Sequence, residues 1–174
     1  DLKTDYFKKL YFNNKELNIK IVEDIKNKKS KYDNLYQFYT LNTQIIHENI
    51  DENGELLEVD TYKYVDKIEK NATIISIEKN ARLIAFIAYY ENDSSFDLAF
   101  LTMLAVDTNS KKMGYGKSLL EISIKEIEKK GFKRYGLEVK KNNFDAIKLY
   151  EKYGFVFKEE RKNGFIYMEK KCKL

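Results

Sequence analysis

The segment from Lys111 to Ser118 has the residue types of a loop that binds phosphate groups. Gly114 and Gly116 carry no Cβ atom, so the backbone can approach a ligand closely there. A predicted helix follows, and its first N–H groups have no acceptor within the helix and carry partial positive charge. Three lysines in the segment add full positive charges. These features indicate a diphosphate site made of backbone amides, although a tight turn without a ligand would need the same glycines.

Composition excludes several other kinds of catalytic site. The 174 residues include one histidine and one cysteine, too few for a zinc site built from His and Cys ligands. A serine–histidine–aspartate triad would need His47, and the sequence has no G-x-S-x-G turn to expose a serine. We therefore expect catalysis by carboxylates, tyrosines, backbone groups or a cofactor.

The net charge of +4 comes from 32 basic and 28 acidic residues. Eight basic residues against three acidic ones lie between Lys111 and Arg134. This balance is mild for a nucleic-acid-binding surface, so we expect no nucleic-acid partner. A basic nucleic-acid-binding domain is an alternative, and it predicts an affinity that falls steeply with salt.

The sequence also indicates a compartment and a domain count. No apolar run approaches the ~20 residues of a membrane-spanning helix, and the first residues lack the apolar centre of a signal peptide. A single cysteine indicates no oxidising compartment. We expect a cytoplasmic protein with no membrane partner. Because there is no proline and no Gly/Ser-rich linker, we expect one domain over residues 1–174.

The hydrophobic pattern predicts the elements that position the loop. Strands are predicted where apolar residues alternate or run together, and helices where they recur every three or four positions. The predicted strands are Leu17–Val22, Ala72–Glu78, Leu83–Tyr90, Phe96–Val106, Tyr135–Lys140, Phe155–Lys158 and Phe165–Met168, and the predicted helices are Ser30–Glu48, Tyr62–Asn71, Tyr115–Lys130 and Phe144–Tyr153. Asn53-Gly54 and Asn163-Gly164 predict turns, and Gly131 a left-handed helix cap. This order predicts an α/β (mixed α+β) fold, a mixed sheet with helices on both faces.

Two spaced segments carry a resemblance to a known family. The loop reads Lys111-x-x-Gly114-x-Gly116, and a second segment reads Asn143-x-x-Ala146-x-x-Leu149-Tyr150-x-x-x-Gly154-Phe155. They resemble the acyl-CoA pyrophosphate loop and the second signature of the GCN5-related N-acetyltransferase (GNAT) superfamily. Met103–Asp107 resembles the family's fourth strand, and the resemblance covers Ala72 to Met168. Lys111 stands where the family prefers Gln or Arg, which keeps the charge but not the arginine fork.

The resemblance implies a GNAT-type twisted, mostly antiparallel sheet with a splayed strand pair that binds acyl-CoA. It implies an acetyl-CoA-dependent N-acetyltransferase that transfers the acetyl group directly to a primary amine, with no metal. Backbone N–H groups beside the fourth strand would stabilise the oxyanion. The residues that it implies for acetyl-CoA binding are Leu104, Ala105, Val106, Lys111, Lys112, Met113, Gly114, Tyr115, Gly116, Lys117, Ser118, Asn143 and Tyr150.

The resemblance also implies two catalytic residues, Tyr150 and Glu138. Tyr150 would be the general acid, because a phenol with an ordinary pKa of ~10 can protonate a departing thiolate. Glu138 precedes it by twelve positions, a spacing similar to the Glu/Tyr pair of the ribosomal-protein N-terminal acetyltransferase subgroup, and would be the general base. Glu138 also faces away from its apolar neighbours Leu137 and Val139. From the residues alone, Tyr150 could be a core aromatic and Glu138 an ordinary exposed strand residue.

The acceptor side of the chain is the least readable. We expect residues 1–71 to form acceptor-side helices and residues 72–174 the acyl-CoA-binding core, with Tyr36 and Tyr39 as candidate acceptor-binding residues. The acceptor would be a small-molecule or peptide amine, such as a protein N-terminus, a lysine, a polyamine or an amino sugar. We expect a monomer or a homodimer. An inactive acyl-CoA-binding or interaction module on the same fold is the alternative function.

Overall fold

A computed structural model describes residues 17–22, 67–68, 70–79 and 82–173. The described strands are β1 (Leu17–Val22), β2 (Thr73–Lys79), β3 (Arg82–Tyr90), β4 (Leu98–Val106), β5 (Arg134–Lys140), β6 (Val156–Glu160) and β7 (Phe165–Lys171). Two α-helices lie wholly within the described residues, α1 (Tyr115–Lys129) and α2 (Phe144–Lys152). Short 3-10 turns cover Thr108–Ser110 and Lys162–Gly164.

The seven described strands form one sheet in the order β1-β2-β3-β4-β5-β7-β6. Strands β4 and β5 pair in parallel, and the other five pairs of neighbours are antiparallel. The parallel pair is joined through α1, as a crossover connection requires. The predicted mixed, mostly antiparallel sheet is confirmed.

Both faces of the central strands contribute to the core. Residues 84–89 of β3 are all buried, although successive side chains of a strand point to opposite faces. Helix α1 covers one face with Leu120, Ile124 and Ile127, which confirms the predicted apolar stripe. Residues 67, 68, 70 and 71 have helical backbone, and Ile68 among them is fully buried.

Strand β4 begins at Leu98, so the predicted start at Phe96 is wrong. Phe96 has a φ of 54° and donates its N–H to the carbonyl of Asp93 at 3.0 Å, which makes it part of a turn. The Asp93 carboxylate accepts hydrogen bonds from Ser95 and from the Leu98 N–H. The bond from the Ser95 hydroxyl, followed by the backbone bonds, lowers the pKa of Asp93 to about 2. This side-chain cap delays the strand, and an apolar pattern does not reveal it.

The last hairpin also differs from its predicted bounds. Strand β6 begins at Val156 and continues to Glu160, whereas Phe155 is buried in the core and donates its N–H to the carbonyl of Tyr150 at 3.1 Å. Phe155 therefore belongs to the end of α2 and not to the strand. Asn163 and Gly164 have φ angles of 60° and 76°, which confirms the predicted turn.

Some predictions fall on other parts of the chain. The helix Ser30–Glu48, which includes Tyr36 and Tyr39, and the turn Asn53-Gly54 lie outside the described residues. No helix of the described part is long and apolar enough to cross a membrane.

Candidate functional site

The site begins where strands β4 and β5 separate. Their parallel pairing runs from Leu98 opposite Arg134 to Leu101 opposite Leu137, although β4 continues to Val106 and β5 to Lys140. Thr102 is an extra residue in β4, because Leu101 and Met103 lie opposite consecutive residues of β3. A bulge of this kind bends a strand and increases its twist. The two strands therefore enclose an open wedge after Leu101, as the predicted splay requires.

Backbone donors of β4 point into this wedge. The Asp107 N–H donates to the carbonyl of Ile84 in β3 at 2.7 Å. Since backbone groups of successive strand residues alternate in direction, the N–H groups of Leu104 and Val106 point to the opposite side, toward the wedge. The intervening Ala105 is buried and directs its N–H to β3. Among the described residues, β5 no longer pairs with β4 at Leu104 and Val106, two of the three residues predicted in this strand.

The loop before α1 provides a second set of backbone donors. Gly114 has a φ of 84° and is the N-cap of α1, whose first turn contains no acidic residue and no side-chain cap. The first helical hydrogen bond runs from the Ser118 N–H to the Gly114 carbonyl at 3.0 Å. The N–H groups of residues 115–117 therefore have no acceptor among the described residues. Exposed Lys112 and Lys117 add positive charge, so this end of α1 can bind an anion.

Gly116 connects the loop to the wedge. A Cβ atom at this position would lie 3.7 Å from Val106 Cγ2 and 3.9 Å from Leu104 Cδ2. The first turn of α1 therefore lies directly against the two residues whose N–H groups point into the wedge. A long ligand bound at the loop can continue from the helix end to the separated strands.

Asn143, which is also among the residues predicted to bind acetyl-CoA, is the N-cap of helix α2. Its side-chain oxygen accepts a hydrogen bond from the Ala146 N–H at 3.3 Å, which is an N-cap contact. The asparagine is exposed. Its described role is to fix the start of the helix that carries Tyr150.

Tyr150 lies in the core formed with α1. It is 8% exposed, and its ring packs edge-to-face on Phe155 with centroids 5.8 Å apart. Phe155 in turn packs against Tyr135 of β5, at 5.5 Å. Burial raises the pKa of Tyr150 to about 12. The phenol therefore stays protonated at neutral pH and keeps its proton available for donation.

Glu138 lies on the opposite face of the same sheet. It is the first residue of β5 after the pairing with β4 ends, and it lies opposite Tyr167 of β7. Its neighbours Leu137 and Val139 are buried in the core with α1, whereas Glu138 is exposed. The predicted facing is confirmed. Glu138 and Tyr150 are thus on two faces of the sheet, and the wedge is the opening between these faces.

A cavity of about 600 Å³ adjoins Glu138 on this face. Its described lining residues are Glu138, Glu160, Arg161, Lys162, Asn163 and Phe165. All except Glu138 come from the β6–β7 hairpin. The sequence reasoning missed this part of the site, although the Asn163-Gly164 turn did indicate the hairpin itself.

Arg161 is the most constrained cation of the cavity. Its guanidinium lies 4.6 Å above the Tyr167 ring, and its Nη2 is 2.9 Å from a Glu159 carboxylate oxygen. Its Nε is 3.8 Å from Glu138 Oε1. That distance is an ion-pair contact but too long for a hydrogen bond. The carboxylate of Glu138 is therefore near a cation and still open to a ligand in the cavity.

Two further predictions concern metals and the acceptor. The described residues contain no group of three or more His, Cys, Asp or Glu side chains that could hold a metal ion. Tyr36 and Tyr39 lie outside the described residues, so the acceptor-binding role predicted for them stays a prediction.

Comparisons with known sequences give a consistent result. Residues 35–155 match the profile described as the Acetyltransferase (GNAT) family. A ribosomal protein bS18-alanine N-acetyltransferase of Escherichia coli K12 is 37% identical over 89 residues, which are 51% of this chain and 58% of the relative. One from Haemophilus ducreyi is 38% identical over 79 residues, 45% of this chain and 54% of the relative. The aligned part is thus little more than half of these relatives.

Solved structures share the fold over most of the chain. The ribosomal-protein-S18-alanine N-acetyltransferase of E. coli superposes with a TM-score of 0.66 and 22% identity, covering 90% of this chain and 96% of that one. The PaiA N-acetyltransferase of Thermoplasma acidophilum, solved in complex with coenzyme A, superposes with a TM-score of 0.64 and 18% identity, covering 88% of this chain and 99% of that one. At these identities the similarity is one of fold.

Proposed function

Because the chain belongs to the acetyltransferase (GNAT) family, we propose that it transfers the acetyl group of acetyl-CoA directly to a primary amine. The observation that carries the proposal is the wedge between β4 and β5. It opens after Leu101 and Leu137, and Gly116 of the loop lies against Leu104 and Val106 on its β4 side.

The chain's own groups fit acetyl-CoA along this path. The N–H groups at the start of α1, with Lys112 and Lys117, would hold the diphosphate through hydrogen bonds and charge. The N–H groups of Leu104 and Val106 would donate to the thioester carbonyl oxygen and stabilise the negative charge that develops on it. When bound, acetyl-CoA supplies the activated acetyl group and a thiolate leaving group. The PaiA N-acetyltransferase, which shares this fold, was solved in complex with coenzyme A.

Tyr150 would act as the general acid. Its phenol is protonated at neutral pH, since burial raises its pKa to about 12. A protonated phenol can donate its proton to the sulfur as the C–S bond breaks, so that the coenzyme leaves as the thiol. The Asn143 cap and the packing against Phe155 would hold the helix in position.

Glu138 would act as the general base. An α-amino group has an ordinary pKa of ~7.7–8.0 and a lysine amine one of ~10.4, so either is mostly protonated at neutral pH and must lose a proton before it attacks a carbonyl. Glu138 lies at the mouth of the wedge and lines the cavity, so an ammonium bound there would contact its carboxylate. Proton removal on this face and proton donation by Tyr150 on the other would occur at opposite ends of one path.

Direct transfer is supported by the position of the one cysteine. Cys172 is buried, and burial raises the pKa of its thiol to about 11. Its N–H donates to the carbonyl of Lys133 just before β5 begins, whereas the wedge opens toward the other end of that strand. A thiol that is protonated and remote from the wedge would not form an acetyl-enzyme.

The acceptor is an amine, and the aligned relatives favour a protein N-terminus. Those relatives are named as N-acetyltransferases of an alanine of ribosomal protein bS18, and this chain aligns with about half of each. The exposed cavity between β5 and the hairpin is open enough for an extended peptide end. A free small-molecule amine would use the same carboxylate.

Release of free thiol from acetyl-CoA tests the proposal. The full chain, given acetyl-CoA and a panel of primary amines that includes peptides with free and blocked N-termini, should release thiol only with a free amine. Acetyl-CoA at about 100 times its Kd should stabilise the fold by about 2.7 kcal/mol. Absence of both thiol release and thermal stabilisation would contradict the proposal, and stabilisation without release would favour the inactive acyl-CoA-binding module.

A further inference from the structure

We infer that Arg161 selects acceptor amines that carry a carboxylate close to the reacting amino group. The inference rests on the proposed acetyl transfer and concerns the cavity beside Glu138. That cavity brings together two carboxylates, Glu138 and Glu160, and two cations, Arg161 and Lys162. A cavity lined by both signs of charge is complementary to a ligand that also carries both.

The Arg161 guanidinium is held in place before any ligand arrives. It stacks on the Tyr167 ring at 4.6 Å, and the Tyr167 hydroxyl donates to Glu169 at 2.8 Å. The Arg161 backbone N–H donates to the carbonyl of Phe165 at 2.8 Å, which fixes the residue in the hairpin. A pre-positioned arginine loses little conformational entropy when it binds a carboxylate.

Donor groups of this arginine remain available to a ligand. Its Nη2 is 2.9 Å from Glu159, and its Nε is 3.8 Å from Glu138, beyond hydrogen-bond range. These contacts involve Nη2 and Nε, and each η nitrogen carries two N–H donors. The side chain is 41% exposed and lines the cavity. Its planar fork can therefore accept a carboxylate in the two-point geometry typical of arginine.

The nearness of Arg161 to Glu138 determines which amines are favoured. An ammonium that reaches Glu138 also approaches the guanidinium, and two like charges at such distances repel each other. A carboxylate on the same acceptor would bind near Arg161 and Lys162. Its attraction to these two cations would offset the repulsion between the acceptor ammonium and the Arg161 guanidinium. A purely cationic acceptor, such as a polyamine, would bring no such compensation. The favoured class is a primary amine with a neighbouring carboxylate, found in free amino acids and in peptides with an acidic second residue.

Matched acceptors that differ only in one carboxylate test this inference. The peptide arm compares C-terminally amidated peptides beginning Ala-Asp and Ala-Asn, and the small-molecule arm compares alanine with alanine amide, at fixed ionic strength. We expect kcat/KM to be about tenfold or more higher for the acidic peptide, as for loss of a charge-assisted hydrogen bond. Preference for alanine in the second arm would identify a free amino acid as the source of the carboxylate.

Two variants assign the preference to the arginine. Arg161→Gln should reduce the Asp/Asn ratio to within about twofold, and Arg161→Lys should restore only part of it, because lysine keeps the charge without the fork. Lys158→Gln is the matched control, since Lys158 is an exposed cation of the same hairpin outside the cavity lining. It should leave the ratio unchanged. An equal ratio in the parent protein, or one that survives Arg161→Gln, would overturn the inference.

A binding measurement separates this inference from the proposed function. Calorimetric titration of both peptides into the protein, with and without coenzyme A, requires no turnover. If the Ala-Asp peptide binds more tightly and this difference is lost in Arg161→Gln, the inference is supported. If no thiol is released in the same preparation, the proposed acetyl transfer is contradicted and the inference is not. Thiol release with neutral and acidic peptides alike, together with equal binding of both, would overturn the inference and leave the acetyl transfer intact.

Discussion

The two sides of the β4–β5 wedge offer a ligand different kinds of groups, backbone donors on one side and charged side chains on the other. On the side of α1, the groups available to a ligand are backbone N–H donors of the loop and of β4, with a buried phenol behind them. On the hairpin side they are charged side chains, chiefly Glu138 and Arg161, which are both more than 40% exposed. Backbone donors suit a ligand whose diphosphate and thioester are always the same. Side chains suit an acceptor whose identity can differ between proteins of one fold.

The largest effect is expected from Tyr150→Phe on the α1 side. Loss of the hydroxyl removes the proposed acid but leaves the packing against Phe155, so the protein should fold and bind acetyl-CoA. A positioned acid contributes about 10²- to 10⁴-fold, and the loss should appear in kcat. Because burial raises the pKa of Tyr150 to about 12, the kcat of the parent protein should show no alkaline decline from this group below about pH 11.

A matched control for that variant lies three residues further along. Tyr153→Phe removes a hydroxyl from the end of the same helix, on a ring that is not part of the proposed proton path. If Tyr150 is the acid, the loss of kcat in Tyr150→Phe should shrink with an acyl donor whose thiol is more acidic, because that thiolate leaves without a proton. A loss that does not shrink, or an equal loss in Tyr153→Phe, would argue for a packing role of Tyr150.

A smaller but still large effect is expected from Glu138→Gln on the hairpin side. Without the carboxylate, the bound ammonium would have to lose its proton to water, and kcat/KM should fall by about 10²-fold. Acetyl-CoA affinity should not change, since the loop and the Leu104–Val106 segment are intact. Rates from about pH 6 to about pH 9 measure the effect across the titration of the amine.

Glu160→Gln is the control for the base. It removes the same charge from the same cavity, but Glu160 lies in the hairpin and not at the mouth of the wedge. If both variants lose the same activity, the carboxylates attract the amine electrostatically and neither is the base. A Glu138→Gln protein with the rates of the parent would place the base elsewhere.

Gly116→Val should weaken the binding of acetyl-CoA without removing a residue proposed to take part in proton transfer. A Cβ at Gly116 already lies at van der Waals distance from Leu104 and Val106, so the added methyl groups would crowd the junction of loop and wedge. The variant should lose most of the stabilisation of about 2.7 kcal/mol expected at 100 times the Kd of acetyl-CoA. Gly131→Asn, at the other end of α1, should keep it, because asparagine tolerates a positive φ. A full thermal shift in Gly116→Val would show that acetyl-CoA binds away from this junction.

The smallest effect is expected at the contact between the two helices. The Tyr153 hydroxyl donates to the Glu121 carboxylate, and burial, followed by this bond, raises the pKa of the phenol. Tyr153→Phe should lower the free energy of unfolding by about 1 kcal/mol in urea denaturation, the usual contribution of one such hydrogen bond. The same variant should leave the ratio of kcat/KM for the Ala-Asp and Ala-Asn peptides unchanged. A change in that preference would mean that the two sides of the wedge are coupled.

Much of the α1 side could be predicted from the sequence, because backbone requirements appear there as residue types. A glycine at a φ of 84° and a helix start without an acidic residue are local features. The start of β4 could not be predicted so well, since the Asp93 carboxylate caps a turn in a segment whose apolar residues resemble a strand. Arg161 was missed for a different reason. Its nearness to Glu138 follows from β7 lying between β5 and β6, and these residues are far apart in the chain.

The sequence by itself determined the order of strands and helices in residues 72–173 and the face on which Glu138 lies. Each of these depends on the two-residue or 3.6-residue period of neighbouring side chains, which is a local property. The tertiary structure alone decided that pairing of β4 with β5 ends at Leu101 and Leu137, and that the hairpin places Arg161 beside Glu138. Strand order and register depend on the free energy of the whole sheet, because one shift moves every side chain to the other face.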